Sequence, residues 1–415
     1  MTCLFGVVTM FFMLDTSSEE GVGIKRSDIA LGVILLLLPF AYLNNKKIFS
    51  YKEDLLAQCV YIFMALYWVE LIITLIIGHE TLNNSLKVIR TSFFMWLFFL
   101  LRSIPLHAYK SFLKIALFIT LLQSALFFLQ FADIHLLFGE RDVDAYTADY
   151  YITNMPPMTA FFLYFSLKLE YLKKTRYIVF AILLILIFST FMRGTIIGVL
   201  IGLAFYAIFI GQNKKRIQTI IIILLITPVA LKFINEKSEV SGGFKGLEEI
   251  EHAFSQWDNM TNLSEKDGTF SFRMAMLYER YAWLEEHPKY LLTGVGTMHE
   301  DSHQTLQMFN FILGTNNEKR YYGQTIIESG DIAWVPVILR YGLIGILIHL
   351  MLIIILFYKT WKRKDILVML SPYMVYLFIR SFNGALFELP QELFLLSLCF
   401  AMVSCATMKK ESLYL

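Results

Sequence analysis

Long apolar runs separated by short polar connections constrain the fold of this sequence more than any other feature. A helix that crosses the hydrocarbon core of a bilayer needs about 20 mostly apolar residues. Twelve runs approach that length: 2–14, 29–43, 55–77, 88–101, 112–138, 155–172, 177–192, 195–211, 217–233, 332–358, 366–382 and 392–408. The sequence therefore predicts an all-α polytopic membrane protein with about 12 transmembrane helices.

The composition supports the same class of protein. Hydrophobic residues make up 57% of the chain and charged residues only 17%, with a net charge of +2. These values argue against a disordered protein, a nucleic-acid binder and an ordinary cytosolic enzyme. The cysteines lie in apolar runs without a spaced framework, so they indicate neither a disulfide scaffold nor a cysteine zinc site. They are Cys3, Cys59, Cys399 and Cys405.

Basic residues predict the orientation in the membrane. Short connections rich in Lys and Arg mark the cytoplasmic side. Such residues cluster in every second connection: 46–52, 102–114, 173–176, 214–216, 359–364 and 409–410. Both termini are therefore predicted to be cytoplasmic. The long hydrophilic segment 234–330 is predicted to lie outside, which divides the chain into helices 1–9 (1–233), a large loop (234–330) and helices 10–12 (331–415).

Two arginines near the outer surface are candidate phosphate ligands. Arg193 closes an apolar run, and Gly194 after it would let the backbone approach a ligand closely. Arg273 lies near the start of a stretch with helical spacing, 271–284. A guanidinium matches phosphate oxygens bidentately, and a helix N-terminus attracts anions. The alternatives are a snorkelling arginine for Arg193 and a solvated basic flank for Arg273.

Two further arginines lie within the late apolar runs. Arg340 stands about two turns into its predicted helix and could snorkel to the interface. Arg380 and the nearby Asn383 could line a cavity, or could equally form an interhelical hydrogen bond. Ionisable residues at membrane depth are costly, so both arginines are candidates for a functional role.

The segment 299–303 spells H-E-x-x-H, the pattern of zinc proteases. On one helix, His299 and His303 would share a face and Glu300 would be the base. Asp301 places a second carboxylate beside that base, and a glycine turn precedes His299. A zinc metalloprotease is therefore only an alternative, and histidines without metal are the simpler interpretation.

Two carboxylates precede the tenth run. Glu328 and Asp331 are three residues apart, so they can share a helical face or flank a turn. One could act as a base while the other orients a substrate. Capping of the following helix explains them equally well.

The order of several motifs resembles one superfamily. The motifs are a T-F-M-R-G turn (190–194), Arg273 in the large loop, P-x-x-x-L-x-G-x-G (288–296) and Y-G-L-I-G (341–345). Together with the twelve runs and the loop before the tenth, they resemble the O-antigen polymerase (Wzy-type) and O-antigen ligase superfamily of bacterial membrane glycosyltransferases. The resemblance implies a GT-C-like fold whose loop is periplasmic. It also implies that Arg193 and Arg273 hold the diphosphate of an undecaprenyl carrier.

The ligase branch carries a catalytic His followed by Asn, Ser or Gln, nine residues and G-x-x-G. Counting back from Gly342 places Asp331-Ile332 at the first two positions, so that His is missing. The same pattern can also be aligned from His303-Gln304, but the second glycine of G-x-x-G is then missing. The departures favour a polymerase, and they leave Glu328, Asp331 and His303 as alternative bases.

The predicted function is polymerisation of undecaprenyl-diphosphate-linked oligosaccharide repeats into a surface polysaccharide, either O-antigen or capsule. The expected partners are the lipid-linked donor and acceptor, the bilayer and a chain-length regulator, with no nucleic acid, metal or cofactor. The expected location is the bacterial inner membrane. The alternatives are an O-antigen ligase that transfers glycan to lipid A-core, the zinc metalloprotease, and a transporter or flippase.

Overall fold

A computed structural model of the protein describes residues 26–46, 48–52, 54–129, 155–169, 172, 175–190, 192–211, 220–221, 228, 269–300, 302–309, 311, 327 and 332–408. Every regular element in these ranges is helical, which confirms the predicted all-α class. The α-helices are α1 (Arg26–Asn44), α2 (Leu55–Ile77), α3 (Leu82–Ile89), α4 (Leu97–Arg102), α5 (Leu106–Leu129), α6 (Thr159–Ser166), α7 (Arg176–Ser189), α8 (Arg193–Phe205), α9 (Thr269–Glu286), α10 (His303–Met308), α11 (Trp334–Thr360), α12 (Leu370–Arg380) and α13 (Pro390–Met408).

Five helices in the described ranges are long and apolar enough to cross a membrane. They are Leu55–Ile77, Leu82–Arg102, Leu106–Leu129, Trp334–Thr360 and Pro390–Met408. Four shorter apolar helices are Asp28–Leu43, Arg176–Ser189, Gly194–Ile210 and Ile366–Arg380. The first predicted run, 2–14, and most of the run 217–233 lie outside the described residues. The total of twelve spans and the periplasmic loop therefore stay predictions.

Capping residues explain why α2 matches its predicted run. Asp54 precedes the helix in an extended conformation, and its carboxylate accepts a hydrogen bond from the Leu56 N–H at 3.0 Å. Gly78 ends the helix in the left-handed conformation, with φ of 76°. Such caps satisfy backbone groups that the helix leaves unpaired.

One end of the helical bundle is held by a buried polar cluster. The carboxylate of Asp54 lies 3.4 Å from the Arg102 guanidinium and also accepts a hydrogen bond from the Ser404 hydroxyl. Arg102 donates to the carbonyl of Ser50 as well. The start of α2, the end of α4 and the end of α13 therefore meet at this end.

Helix α11 is broken at Gly342, and a loop segment repairs the break. Gly342 has φ of 60° and ψ of −156°, a conformation that favours glycine. The N–H of Leu343 donates to the carbonyl of Leu291 at 3.0 Å, and the N–H of Val295 donates to the carbonyl of Leu339 at 2.9 Å. Backbone groups freed by the break are thus satisfied by the loop. The two glycine motifs of the sequence, 288–296 and 341–345, meet here.

The glycines at this contact allow backbones to touch. A Cβ atom on Gly294 would lie 2.4 Å from the carbonyl oxygen of Arg340, and Gly294 has φ of 73°. A Cβ on Gly342 would lie 2.5 Å from the carbonyl carbon of Leu292. No larger residue fits at either position without moving the backbone. The loop backbone therefore packs directly against the backbone of α11.

Glycines also bring α8 close to α12. Gly194, Gly198 and Gly202 recur every fourth residue on one face of α8. A Cβ on Gly202 would lie 2.7 Å from the carbonyl oxygen of Pro372, and one on Gly198 would lie 3.2 Å from the Tyr376 ring. Small residues at this spacing let membrane helices approach closely. The stripe determines where the first turn of α8 lies.

The predicted loop helix is present as α9, and its Arg280 is fully buried. The Arg280 guanidinium donates to the Glu279 carboxylate at 2.7 Å and lies 4.3 Å from the centre of the Phe311 ring. Burial lowers the pKa of Arg280 to about 10, although the carboxylates of Glu279 and Glu300 oppose that shift. Arg280 therefore contributes to the packing of the loop and is not exposed at the loop surface.

Candidate substrate-binding site

Asn383, just after α12, joins the two segments that carry the candidate phosphate ligands. The Arg273 guanidinium donates to Oδ1 of Asn383 at 2.6 Å. Gly194 of α8 packs directly against the side chain of Asn383, because a Cβ atom placed on Gly194 would lie only 2.3 Å from the Asn383 Cβ. The first turn of α8 and the fifth residue of α9 therefore meet at one side chain. The side chain of Arg193 lies outside the described residues, so its direction stays a prediction.

The first turn of α8 has the features of an anion site. Arg193 is its first residue, and Met192 before it makes no side-chain cap. The first N–H groups of a helix lack partners within the helix, and the helix dipole adds partial positive charge there. With the Arg273 guanidinium at the neighbouring Asn383, donors from two segments converge on one region. Such an arrangement suits a phosphate or diphosphate group.

Arg380 supports the turn that carries Asn383. Its guanidinium forms an ion pair with Glu392, which is 4% exposed and lies in the first turn of α13. Its carbonyl accepts a hydrogen bond from the Asn383 N–H at 2.7 Å. Arg380 thus ties α12 to α13, and the carboxylate of Glu392 balances its charge.

The start of α11 is attached to the same turn. The N–H of Ala333 donates to the carbonyl of Ser381 at 3.0 Å, and the indole N–H of Trp334 donates to the Ser381 hydroxyl at 2.9 Å. The candidate bases Glu328 and Asp331, which precede this point in the sequence, lie outside the described residues.

Arg340 is buried and binds neighbouring segments. It is 3% exposed, so it does not reach the interface as a snorkelling side chain would. Its Nη1 lies 3.2 Å from Oε1 of Glu388, and its Nε donates to the carbonyl of Met298 at 3.2 Å. Arg340 therefore joins α11 to the loop and to the α12–α13 connection.

The H-E-x-x-H segment does not form one helix. His303 is exposed and begins α10, whereas His299 and Glu300 precede that helix in a turn. Two imidazoles on one helical face, which a zinc protease requires, are therefore not formed. Among the residues that the structure describes, no three His, Cys, Asp or Glu side chains are grouped as metal ligands. The metalloprotease alternative has no geometric support.

A buried carboxylate fixes this segment instead. Glu80, directly after α2, accepts hydrogen bonds from the N–H of Thr81 at 2.8 Å, the amide of Asn84 at 3.0 Å and the N–H of His299 at 3.2 Å. Burial opposes ionisation of Glu80, but these hydrogen bonds, with one from Ser302, outweigh it and hold the pKa of the carboxyl below its usual range. The loop is thus bound to α2 through an ionised side chain.

Sequence reasoning missed Glu80, because no signal in the sequence pairs it with His299. For Asn383 the sequence left two roles open, a cavity residue or an interhelical hydrogen bond, and the structure shows a hydrogen bond that joins it to Arg273 of α9. The Gly194–Gly198–Gly202 stripe could have indicated that α8 packs closely on another helix at this position.

The described helices indicate a multi-pass helical membrane protein, and Arg273 with the first turn of α8 forms its candidate anion-binding region. Residues 178–329 match the family model described as O-antigen ligase, and this range contains both Arg193 and Arg273. This match supports the superfamily predicted from the motifs, that of O-antigen ligases and polymerases. Its members are glycosyltransferase-like enzymes, and the family suggests lipid-linked polysaccharide substrates. No curated protein matches the chain.

Proposed function

We propose that the protein polymerises undecaprenyl-diphosphate-linked oligosaccharide repeats at the periplasmic face of the bacterial inner membrane. The contact of Arg273 and the first turn of α8 with Asn383 carries this proposal. It brings together two segments, about 80 residues apart in sequence, that each supply donors for a phosphate group.

The chemistry uses the bond energy of the donor. The bond between the anomeric carbon and the diphosphate oxygen breaks, and a bond from that carbon to an acceptor hydroxyl oxygen forms. Arg193 and Arg273 stabilise the charge that develops on the leaving undecaprenyl diphosphate. A base takes the proton of the acceptor hydroxyl, and Glu328, Asp331 and His303 are the candidates. No metal or nucleotide sugar takes part in this scheme.

Substitution of the two arginines tests the proposal. In a strain that lacks the native gene, Arg193→Ala and Arg273→Ala are expected to abolish polymer while single repeats are still attached to lipid A-core, because the leaving diphosphate is no longer stabilised. Gel electrophoresis of the polysaccharide and immunoblotting of the protein measure both effects. Lys289→Ala removes an exposed cation of the same loop, and it should leave the ladder of polysaccharide bands on the gel unchanged. Ladders of normal length in both arginine variants would refute the proposal.

Ligation to lipid A-core is the second candidate, because the matching family is described as O-antigen ligase. The same strains distinguish the two activities. Loss of a ligase leaves lipid-linked polymer of normal length and transfers no glycan to lipid A-core. Loss of a polymerase leaves single repeats, and these are still transferred.

A further inference from the structure

Tyr376 of α12 is buried against the beginning of α8. It is 1% exposed, and its ring lies 3.2 Å from the position of a Cβ atom on Gly198. Gly202, one turn further along α8, contacts the carbonyl of Pro372, which precedes Tyr376 in α12. The two helices therefore run antiparallel, and the start of α8 lies beside the end of α12, where Asn383 follows.

The hydroxyl of Tyr376 points toward that end. The side chains of Thr195 and Arg380 lie beside it. Thr195 precedes Gly198 in α8 and belongs to its first turn, while Arg380 is the last residue of α12. Both neighbours lie on the side of the candidate anion site, so the hydroxyl is directed toward the N–H groups at the start of α8.

The hydroxyl has no hydrogen-bond partner among the residues that the structure describes. Thr195 and Arg380 are close, but neither meets it with both the distance and the angle of a hydrogen bond. Arg380 is already paired with Glu392, and a guanidinium cannot accept the hydroxyl proton. Buried polar groups are nearly always hydrogen-bonded, so an unpartnered hydroxyl at a candidate site indicates a ligand contact.

The surrounding groups favour an anionic ligand for this hydroxyl. The first N–H groups of α8 have no acceptor earlier in the helix, and the helix dipole adds partial positive charge at the same place. A phosphate oxygen can accept from these N–H groups and from a hydroxyl together. A hydrogen bond from a hydroxyl to an ionised oxygen is also stronger than one to a neutral sugar oxygen.

We propose that the Tyr376 hydroxyl donates a hydrogen bond to the diphosphate of the lipid carrier, bound at the first turn of α8. This inference rests on the proposed function, because it adds a ligand to the site of Arg193 and Arg273. Tyr376 contributes a hydrogen bond only, and it exchanges no proton in the reaction.

Tyr376→Phe tests the contact, since it removes the hydroxyl and keeps the ring that packs on Gly198. Undecaprenyl diphosphate is titrated into the purified full chain in nanodiscs. Kd should rise about tenfold, the loss expected for one hydrogen bond to a charged group. Tyr164→Phe is the matched control, because its hydroxyl is equally buried but donates to the carbonyl of Val199 at 3.2 Å, further along α8. An unchanged Kd for Tyr376→Phe, or an equal rise in both variants, would overturn the inference.

The melting temperature of the free protein separates binding from folding. Because the Tyr376 hydroxyl has no partner among the described residues, Tyr376→Phe should leave this temperature unchanged or raise it, whereas Tyr164→Phe should lower it. A lower melting temperature for Tyr376→Phe would assign the hydroxyl to the fold and overturn the inference, even with weaker binding.

Arginine variants in the same titration separate this inference from the proposed function. If Arg193→Ala and Arg273→Ala both bind undecaprenyl diphosphate as wild type does, the proposed function fails. If they bind weakly while Tyr376→Phe binds as wild type, only the role of Tyr376 fails.

Discussion

At the scale of single residues, the roles of charged side chains depend on partners far away in the sequence. Glu80 bonds the N–H of His299, a residue 219 positions later, and Arg340 reaches Glu388 across 48 positions. An unpaired charge in such a place would carry a large desolvation cost. The local sequence around Glu80 or Arg340 contains no sign of these partners.

The carboxylate of Glu80 is expected to stabilise the fold in a pH-dependent way. Glu80→Gln should lower the free energy of unfolding at pH 7 by about 1–3 kcal/mol, since a hydrogen bond to a charged acceptor is lost. Because the pKa of Glu80 in the folded protein lies below its ordinary value of 4.5, the stabilisation is complete above about pH 4.5 and declines as pH falls through the folded pKa. Thermal unfolding in detergent between pH 3.5 and pH 7 measures the difference between the two proteins.

The exposed Glu285 supplies the control for this experiment. Glu285→Gln on α9 removes a carboxylate that is not enclosed, and it should change stability little at any of these pH values. If the difference in stability between wild type and Glu80→Gln widened toward low pH, the assigned role of the Glu80 carboxylate would be wrong.

At the scale of elements, burial distinguishes helices whose apolar sequences all look like membrane spans. The run 155–172 looks like a membrane span, yet helix α6 covers only Thr159–Ser166, and each of its eight residues is buried. Two prolines, Pro156 and Pro157, precede it and cannot continue a regular helix toward the N-terminus. An apolar run indicates burial, but it does not say whether lipid or protein provides the cover.

The break in α11 gives a sharp test at this scale. Gly342→Ala is expected to destabilise the protein by about 3 kcal/mol or more, because it forces a positive φ on alanine and places a Cβ 2.5 Å from the carbonyl of Leu292. Gly32→Ala in α1 is the matched control, because its Cβ would meet nothing within 4 Å. It should be neutral or stabilising by up to about 1 kcal/mol. Fluorescence-detected size-exclusion chromatography after heating measures both, and equal melting temperatures would contradict the role of the break.

At the scale of the whole molecule, the helices separate a basic end from the end with the candidate site. Helices α2 and α11 run antiparallel, since Tyr67 bonds His349 and, further along α2, Thr74 accepts from the N–H of Thr297 beside the start of α11. The Arg102–Asp54 cluster therefore lies at the opposite end from Asn383. This arrangement agrees with basic connections on one side, while the identity of that side stays a prediction.

Cysteine labelling can determine the orientation. Cysteines are placed at exposed positions with Glu286→Cys in the large loop and Lys364→Cys between α11 and α12, in a Cys3→Ser background. The described native cysteines, Cys59, Cys399 and Cys405, are buried. A membrane-impermeant maleimide applied to intact spheroplasts should label the Glu286→Cys variant and spare the Lys364→Cys variant. Both should react after lysis, and the reverse pattern in intact cells would invert the predicted topology.

The sequence by itself determined the helical class and the positions of most apolar helices, because burial of apolar residues in lipid or protein follows directly from their spacing and length. Its local motifs also indicated the superfamily that the family model over residues 178–329 supports. Only the tertiary structure decided that the segments of both arginines meet at Asn383, that Glu80 holds the loop, and that α6 is covered by protein. Those contacts depend on backbone approach and hydrogen bonds between distant segments, which local composition does not encode.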